Sequence, residues 1–462
     1  MSTEQGDDAS VTDFGYRQEL KRSLSLRDLL VYGLVLISPT AVFPTFGIIY
    51  NASAGMVPLV YVIGLVAMFF TALSYMAMSR EFPLAGSAYA YTRGTFGENA
   101  GFIAGWAVVL DYLLSPALIY IGAAVAIDAV VPGLPLEVWG IGLLVMNTVI
   151  NLRGIDSITR ANSGLLLLQL AALALFLIFA TVAVFKGTGG AHLSIQPFFN
   201  ANRIAPEVVL GAVSIGVLNY LGFDAISTLA EEARGGPSLV AKATLLTLLV
   251  TAVLFIAQSY LASLFVLKQT AFASGTPSYA AFYTIAGSIG GAWFKGVLSI
   301  AGMFLAGIAS ALTSQAAISR LLFSMARDGR LPRSFAHVEP RRQVPDRATL
   351  LVAAVTVALI LFFSHRLELL LSIVSFGAMT AFLFVHASVV GHFLWRKGSR
   401  DWLRHLIAPL LGSVIIAFVM VDMSTNAKRV GLSWLAAGVV IVLVRKVLRA
   451  GKSSLLRKGT SN

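Results

Sequence analysis

Long apolar runs separated by short polar segments cover almost the whole chain. A helix needs about 20 apolar residues to cross a bilayer, and most of these runs reach that length. Strands of an outer-membrane barrel would instead alternate apolar and polar residues over about ten positions. The pattern therefore predicts an all-α polytopic membrane protein with twelve transmembrane helices, near residues 28–50, 56–79, 100–127, 136–152, 161–185, 207–230, 239–267, 294–326, 349–363, 367–394, 406–424 and 430–448.

Two of these runs, the first and the sixth, contain residues that interrupt a continuous helix. The first contains Ser38-Pro39-Thr40 followed by Pro44, and the sixth contains the segment from Gly216 to Gly222, which leads into Asp224. Unpaired backbone groups are tolerated at membrane depth only where protein or a cavity surrounds them. Breaks at corresponding positions of two halves are typical of a transporter's binding site near the membrane midplane. We therefore expect both breaks to contribute to a substrate site.

The order of the runs predicts an internal repeat. Five lie between residues 28 and 185 and five between 207 and 394. An odd number of crossings per unit makes the second unit enter from the opposite side, so the repeat is inverted. We predict one membrane domain over 27–450, with cytoplasmic tails at 1–26 and 451–462. Its parts are repeat one at 27–186, repeat two at 207–395, and helices eleven and twelve within 406–448, which serve packing or oligomer contacts.

Composition and charge fit this interpretation. The chain is 57% hydrophobic and 12% charged, with a mean hydropathy of +0.82. A net charge of +12 would suggest a nucleic-acid partner for a soluble protein, but here 27 of the 34 Lys and Arg residues lie on one side of the predicted spans. The positive-inside rule places that side, with both termini, in the cytoplasm. We expect membrane lipid and a small molecule as partners, with no nucleic acid, and a homodimer is an open alternative.

Several classes of chemistry lack the residues that they need. The chain has no cysteine, which rules out disulfides and thiol chemistry. The spacing of His, Asp and Glu suggests no metal site, and no nucleophile lies beside a base in a pattern typical of catalysis. We therefore expect a protein that is not an enzyme and that has no bound cofactor.

Asp111 is the strongest single candidate for function. It lies near the middle of the third apolar run, where a charged side chain costs about 2.5–3.5 kcal/mol on insertion scales. Such a residue faces a cavity or a partner, and the structural alternative is a hydrogen bond to a neighbouring helix. A buried carboxylate can hold an amine or a proton, so Asp111 is a candidate for both substrate binding and proton coupling.

Several segments together resemble the amino acid–polyamine–organocation (APC) superfamily, and within it the bacterial putrescine importers. They include Glu81-Phe82-Pro83-Leu84-Ala85-Gly86-Ser87-Ala88-Tyr89, Asp111-Tyr112-Leu113-Leu114, Gln196-Pro197-Phe198, Gly222-Phe223-Asp224-Ala225 with Glu231-Glu232, Ser319-Arg320-Leu321-Leu322 with Arg327-Asp328, and Phe376-Gly377-Ala378. The resemblance runs from about residue 20 to residue 450. It implies the five-plus-five inverted-repeat fold and a bacterial inner-membrane location. The chain departs from the importers at Pro44, where they carry an acidic residue.

The resemblance and the breaks together give a set of candidate residues. The first break has prolines in place of glycine amide donors, which weakens recognition of a carboxylate, while carbonyls freed by Pro39 and Pro44 would suit an ammonium group. Aromatic rings could add cation–π contacts or could simply pack. The candidates for substrate binding are Ser38, Thr40, Phe43, Asp111, Tyr112, Tyr220, Phe223, Asp224 and Phe376, and those for a solvated inner gate paired with Arg or Lys are Glu231 and Glu232.

The expected function is secondary active transport of small cationic amines or amino acids. The leading hypothesis is a proton-coupled importer of putrescine or polyamines that works by alternating access. The alternative is a permease or exchanger for neutral or other amino acids, which would use Asp111 only for coupling. Span five lacks the lysine that some proton-coupled relatives have in place of sodium, so both proton and sodium stay open as the coupling ion.

Overall fold

The architecture is entirely helical. The computed structural model describes residues 15, 17–128, 133–201, 203–273, 276–364, 367–423 and 425–459. In these ranges the chain forms no β-strand. The α-helices are α1 (Leu26–Ile37), α2 (Val42–Ala52), α3 (Val57–Glu81), α4 (Ser87–Phe96), α5 (Glu98–Asp128), α6 (Leu136–Leu152), α7 (Ile155–Phe185), α8 (Pro206–Leu218), α9 (Gly236–Ser263), α10 (Thr276–Tyr279), α11 (Ala281–Ser299), α12 (Ala306–Arg327), α13 (Asp346–Phe363), α14 (Leu367–Val389), α15 (Ala408–Asp422) and α16 (Thr425–Gly459).

Shorter helical segments of other types complete the chain. They are 3₁₀ helices at Thr188–Gly190, Phe223–Glu232 and Arg333–Ala336 and π-helices at Ile300–Leu305, Val390–Arg396 and Leu403–Ile407. The segment Phe223–Glu232 follows the break after α8, which contains Gly222, and forms the second part of the predicted sixth span. Such departures from α geometry are frequent at functional or strained positions.

The helices account for the predicted membrane spans. In the described part of the chain nine helices are long and apolar enough to cross a membrane, and α1 with α2, bent by 53° at their break, form a tenth. The apolar α6 is shorter, and the sixth span is divided between α8 and the 3₁₀ helix after it. The all-α polytopic fold is thus confirmed, whereas the count of twelve depends on these two spans and stays a prediction.

Five long helices form the centre of the bundle. α3 packs against α9, and α5 packs against α12 and α14. The broken span α1–α2 contacts α7, α9, α11 and α12, so protein surrounds its non-helical residues. This arrangement satisfies the condition for irregular backbone at membrane depth.

The last two helices pack on the outside of the bundle. Trp434 of α16 stacks on Trp106 of α5 with ring centroids 4.3 Å apart. Each indole Nε1 donates to the backbone carbonyl of the other residue at 2.8 Å. α16 is thereby joined to α5.

Candidate substrate site

Both helix breaks border one cavity inside the bundle. It has a volume of about 200 Å³ and is enclosed by the end of α1, α5, the segment after α8, α12 and α14. Ile37 and Ala41 line it from the first break and Gly222 from the second. Most of the lining is apolar, and the polar side chains in it belong to Asp111, Tyr112, Ser115, Asn219, Ser314 and Ser375.

The first break begins at Ser38, where the backbone has a φ of 65°. This left-handed region is unfavourable for residues other than glycine, so side-chain contacts must hold it. The Ser38 hydroxyl lies 3.2 Å from Thr40 Oγ1 and donates to Gln169 Oε1 of α7 at 3.2 Å. Ser38 and Thr40 therefore stabilise the break from the α7 side and are not among the residues that line the cavity.

The carbonyls around Pro39 are occupied within the protein. Proline has no N–H, so Val35 loses its usual helical donor four residues later. Ser310 of α12 replaces that donor, since its hydroxyl donates to the Val35 carbonyl at 2.6 Å. The carbonyl of Pro39 itself accepts from Gln258 Nε2 of α9 at 2.9 Å.

Pro44 leaves no free carbonyl either. It is the third residue of α2, in the first turn, where backbone N–H groups have no partner within the helix. The Thr40 carbonyl that it would have reached accepts from the N–H of Phe43 at 3.0 Å. Donors within the protein thus already reach these carbonyls, and the expectation that they would suit an ammonium group stays a prediction.

Asp111 faces the cavity from α5 and is 7% exposed. Its Oδ1 accepts from Ser115 Oγ at 3.1 Å, one helical turn further along. Gly377 of α14 lies directly against it, since a Cβ there would come within 2.7 Å of the Asp111 nitrogen. Among the described residues no Lys, Arg or His pairs with this carboxylate.

Asp224 lies behind the cavity wall and shapes the second break. Its Oδ1 accepts from the N–H of Gly222 at 3.2 Å, and its Oδ2 accepts from the Tyr112 hydroxyl. Gly222 has a φ of 120°, which glycine adopts without strain. Asp224 is 3% exposed and, in the described part of the chain, has no ion-pair partner.

Two of the predicted aromatic residues, Phe43 and Tyr220, make contacts with other helices and do not line the cavity. Phe43 stacks on Phe282 with centroids 4.2 Å apart and also contacts Phe176. Tyr220 donates to the carbonyl of Tyr61 at 2.9 Å. Both rings are fully buried in packing contacts, and neither is among those that line the cavity.

The other two predicted rings also pack against neighbouring helices. Phe223 lies edge-on to Tyr75, with centroids 6.1 Å apart, and tilts against Phe382. Phe376 belongs to a cluster with Leu110 and Trp434 beside α16. Of the predicted aromatic candidates, Tyr112 is the one that the structure brings to the cavity.

Four polar residues of the cavity, Ser115, Asn219, Ser314 and Ser375, lie outside the predicted set of candidates. Ser115 follows Asp111 by four residues, so the helical period could have placed it on the same face. Asn219 lies in the middle of the second break, and its Nδ2 donates to Tyr61 Oη at 2.6 Å. Ser314 gave no such signal, because its direction depends on the rotation of α12.

Glu231 and Glu232 close the 3₁₀ helix at the end that we predicted to be cytoplasmic. Glu231 accepts two hydrogen bonds from Arg327, at 2.7 and 2.9 Å. Glu232 is held the same way by Arg320, whose Nη2 donates at 3.1 Å. The pairing with arginine was expected, but the expectation of a solvated gate is wrong, because the two glutamates are 0% and 2% exposed. Their role as a gate stays a prediction.

The segment before α1 covers these ion pairs. The N–H groups of Ser23 and Leu24 both donate to the Glu232 carbonyl at 3.0 Å. Gln18 Nε2 donates to the carbonyl of Glu231 at 2.8 Å. The paired glutamates are thus sealed beneath the N-terminal segment, so the cavity is closed on this side.

Within the described ranges no group of three or more His, Cys, Asp or Glu side chains is arranged to hold a metal ion. The chemistry available at the cavity is therefore that of two carboxyl groups, hydroxyls, amides and apolar walls. These groups suit binding of a polar or cationic small molecule without covalent change.

Comparison with known proteins identifies the family. A sequence model of the amino acid permeases matches residues 29–444. The low-affinity putrescine importer PlaP of Escherichia coli K12 is 31% identical over 437 residues, which cover 93% of this chain and 95% of that protein. The branched-chain amino acid permease BcaP of Lactococcus lactis is 26% identical over 454 residues, covering 90% and 93%. The methylthioribose transporter of Bacillus subtilis is 26% identical over 464 residues, covering 96% of each. The chain therefore belongs to the amino acid permease family of the APC superfamily and is a multi-pass membrane permease, not an enzyme.

Proposed function

We propose that this permease imports a small organic cation of the putrescine type by proton-coupled alternating access. The observation that carries the proposal is the pair Asp111 and Asp224, two buried carboxyl groups without a cationic partner among the described residues. An unpaired charge in a dry interior costs several kcal/mol. An ammonium group or a proton would remove that cost.

The two carboxyl groups differ in how much of their hydrogen-bonding capacity is used. Asp224 already accepts from Gly222 and from Tyr112, whereas Asp111 accepts a side-chain bond from Ser115 of its own helix. Asp111 also faces the cavity directly. We therefore assign the ammonium group to Asp111, with Tyr112 in the adjoining wall and Asp224 behind it.

The pair of carboxyl groups offers a route to proton coupling. One carboxylate cannot hold an ammonium group and a proton at once, so a proton carried inward with the amine would reside on Asp224 while the ammonium group binds Asp111. Asp111 itself would be the coupling group for a neutral substrate, and sodium is the alternative coupling ion.

The apolar part of the cavity fits the carbon chain of a diamine. Leu36, Leu118, Ile119 and Val374 line it around the polar end at Asp111. Methylene groups gain free energy against such walls, by about 0.8 kcal/mol for each that is buried. The E. coli relative is a putrescine importer, which supports the same substrate class.

An amino acid permease is the second candidate. The cavity is small and mostly apolar, and one relative is named a branched-chain amino acid permease. In that case an apolar side chain would occupy the wall around Leu118 and Ile119, and Asp111 would serve coupling alone.

We place the protein in a bacterial inner membrane with both termini in the cytoplasm. The named relatives are bacterial, and the side that contains both tails holds most of the Lys and Arg residues. This distribution is what the positive-inside rule associates with the cytoplasmic face.

Competition for uptake into proteoliposomes tests the substrate class. Labelled putrescine should enter in a saturable way, and unlabelled putrescine should compete better than ornithine, which adds a carboxylate near Asp111. We expect a difference of roughly tenfold or more, since a desolvated like charge costs over about 1.4 kcal/mol. Saturable uptake of labelled leucine that putrescine does not reduce would reject the amine and favour the amino acid permease.

A further inference from the structure

A second, larger concavity lies on the outside of the helix bundle. It has a volume of about 690 Å³ and lies between α3, the π-helix Val390–Arg396 and the start of α15, and we call it the α3–α15 groove. It shares no residue with the lining of the substrate cavity. Its ligand is therefore a separate question from the transported substrate.

The wall of the groove is apolar. α3 contributes Phe69, Phe70, Leu73 and Met76, and α15 contributes Leu411 from the opposite side. These side chains are partly exposed, with Leu411 at 45%, so the protein leaves the groove open to its surroundings. A contiguous open apolar surface on a membrane bundle is in contact with acyl chains.

The position of the groove along the helices is at the membrane–water interface. α3 ends at Glu81 and the π-helix before α15 begins at Leu403, and both candidate spans terminate there. Trp395 and Trp402 are 75% and 60% exposed beside it. Tryptophan is enriched at the level of lipid headgroups, so the rim of the groove lies at that level.

The rim of the groove is basic. Arg80 is exposed and has no acidic partner within the described ranges, while Glu81 beside it already accepts from Lys397 Nζ at 2.6 Å and His392 Nε2 at 3.2 Å. Arg404 is 79% exposed, with Nε 3.6 Å from Asp401. Lys397 compensates the charge of Glu81, so Arg80 keeps its positive charge at the rim, and the exposed ion pair of Arg404 with Asp401 is a weak one. The rim is therefore able to accept an anion.

We propose that the α3–α15 groove binds one anionic phospholipid, with an acyl chain on the wall from Phe69 to Met76 and the phosphate between Arg80 and Arg404. An apolar wall joined to a basic rim at headgroup level matches an anionic amphiphile in both charge and polarity. A zwitterionic lipid would leave the arginines uncompensated. A free phosphate would leave the apolar wall empty.

Native mass spectrometry of the purified full chain tests the proposal with defined lipids. Phosphatidylglycerol should remain bound as one molecule per chain and raise the melting temperature, because a ligand that binds the folded state stabilises it. Phosphatidylcholine of the same chain length should be retained less, and glycerol 1-phosphate should have no effect. Equal retention of the two lipids, or the same stabilisation by glycerol 1-phosphate, would overturn the proposal.

Two double substitutions distinguish an effect of the rim arginines from an effect of the total charge of the protein. Arg80→Gln with Arg404→Gln should weaken phosphatidylglycerol retention by roughly tenfold or more, since each basic residue contributes about 1 kcal/mol near an anionic headgroup. Arg333→Gln with Arg341→Gln makes the same charge change at exposed positions outside the groove and should leave retention unchanged. Undiminished retention in the Arg80/Arg404 variant would place the lipid elsewhere.

A third variant tests the wall with the arginines intact. Met76→Trp fills the groove and should reduce phosphatidylglycerol retention without altering the charge of the rim. If the groove instead serves as an interface between two copies of the chain, this variant would dissociate a dimer while lipid retention stays the same, and that result would also contradict the proposal.

Discussion

Asp111 and Asp224 are two buried carboxyl groups with different hydrogen-bond partners and different access to the cavity. Asp224 is fixed by a glycine N–H and a tyrosine hydroxyl, which makes it part of the turn at the second break. Asp111 has one hydroxyl partner, on the next turn of its own helix, and an open cavity in front of it. Substitutions at the two residues should therefore affect stability and transport to different extents.

Asp111→Asn should reduce putrescine uptake by roughly tenfold or more, because the amide keeps the shape of the side chain but cannot balance an ammonium charge. The melting temperature should be unchanged or higher, since the substitution removes a buried charge that has no cationic partner. Uptake into proteoliposomes and thermal unfolding of the same preparations measure the two effects.

Ser115→Ala is the matched control for this prediction. It removes the hydroxyl partner of Asp111 and keeps the carboxylate, so most uptake should remain. Normal uptake by Asp111→Asn across a range of pH would leave Asp111 with a structural role alone. A large loss of stability in Asp111→Asn would point to the same conclusion.

At the scale of elements, the contact between α5 and α14 fixes the position of Asp111. A Cβ at Gly377 would lie 2.7 Å from the Asp111 nitrogen and 3.0 Å from the Ala107 carbonyl, and both are backbone atoms that cannot rotate away. The small residue allows the two helices to approach closely, as small residues commonly do in membrane bundles.

Gly377→Ala should therefore separate α5 from α14, lower the melting temperature and reduce uptake. Gly122→Ala on α5 is the control, because its new Cβ would meet no atom within 4 Å and alanine favours a helix by about 1 kcal/mol over glycine. Thermal unfolding compares the two variants directly. Equal stability of both would show that the α5–α14 contact adjusts without cost.

For the whole molecule, the closed side of the cavity depends on ion pairs between distant parts of the chain. Glu231 and Glu232 meet Arg327 and Arg320 of α12, and the segment from Gln18 to Leu24 covers them. Breaking a buried pair by removing one partner costs about 3–5 kcal/mol, because the other charge stays buried. Alternating access would require these contacts to open and re-form.

Arg320→Gln should shift the protein toward a form that is open on this side. The native chain has no cysteine, so Ser314→Cys provides a single reporter in the cavity wall. An impermeant maleimide added from the Arg320 side should label that thiol at least tenfold faster than in the protein with Arg320. A tenfold change corresponds to about 1.4 kcal/mol, which is less than the cost of about 3–5 kcal/mol for breaking a buried ion pair.

Two controls accompany this experiment. Two further single-cysteine variants show which side of the membrane the reagent reaches, and a variant with the same charge change tests whether loss of any nearby arginine alters labelling. Ser334→Cys and Gln196→Cys lie in predicted loops on opposite sides and should react from the cytoplasm and from outside, respectively. Arg333→Gln removes an exposed cation near Arg320 in sequence and should leave labelling at Ser314→Cys unchanged. Unaltered labelling in Arg320→Gln would mean that this ion pair does not hold the cavity closed.

The sequence by itself determined the membrane fold and the positions of its breaks. A lipid-buried backbone must satisfy its hydrogen bonds within each helix. The length of each apolar run therefore predicts a membrane span, and Pro, Gly and Ser within a run predict where the helix is interrupted. The location of Asp111 within an apolar run likewise predicted a buried carboxylate, because such a residue has a high cost wherever lipid surrounds it. These are local properties of the chain, and the structure shows the bent span from Leu26 to Ala52 and the cavity beside Asp111.

Only the tertiary structure decided which side chains face the cavity. A helix that is apolar on all sides gives no amphipathic signal, so the sequence does not reveal how it is rotated about its axis. For this reason Phe43, Tyr220 and Phe376 were predicted at the site and instead pack against neighbouring helices.

The partners of the breaks also come from remote parts of the chain. The bond from Ser310 to the Val35 carbonyl joins residues 275 positions apart, and the pair of Arg320 with Glu232 joins residues 88 positions apart. No local pattern encodes such contacts, since they exist only once the helices have packed. The sequence therefore determined where the backbone is interrupted, and the packing of the bundle decided which groups satisfy it and which carboxylate is left facing the cavity.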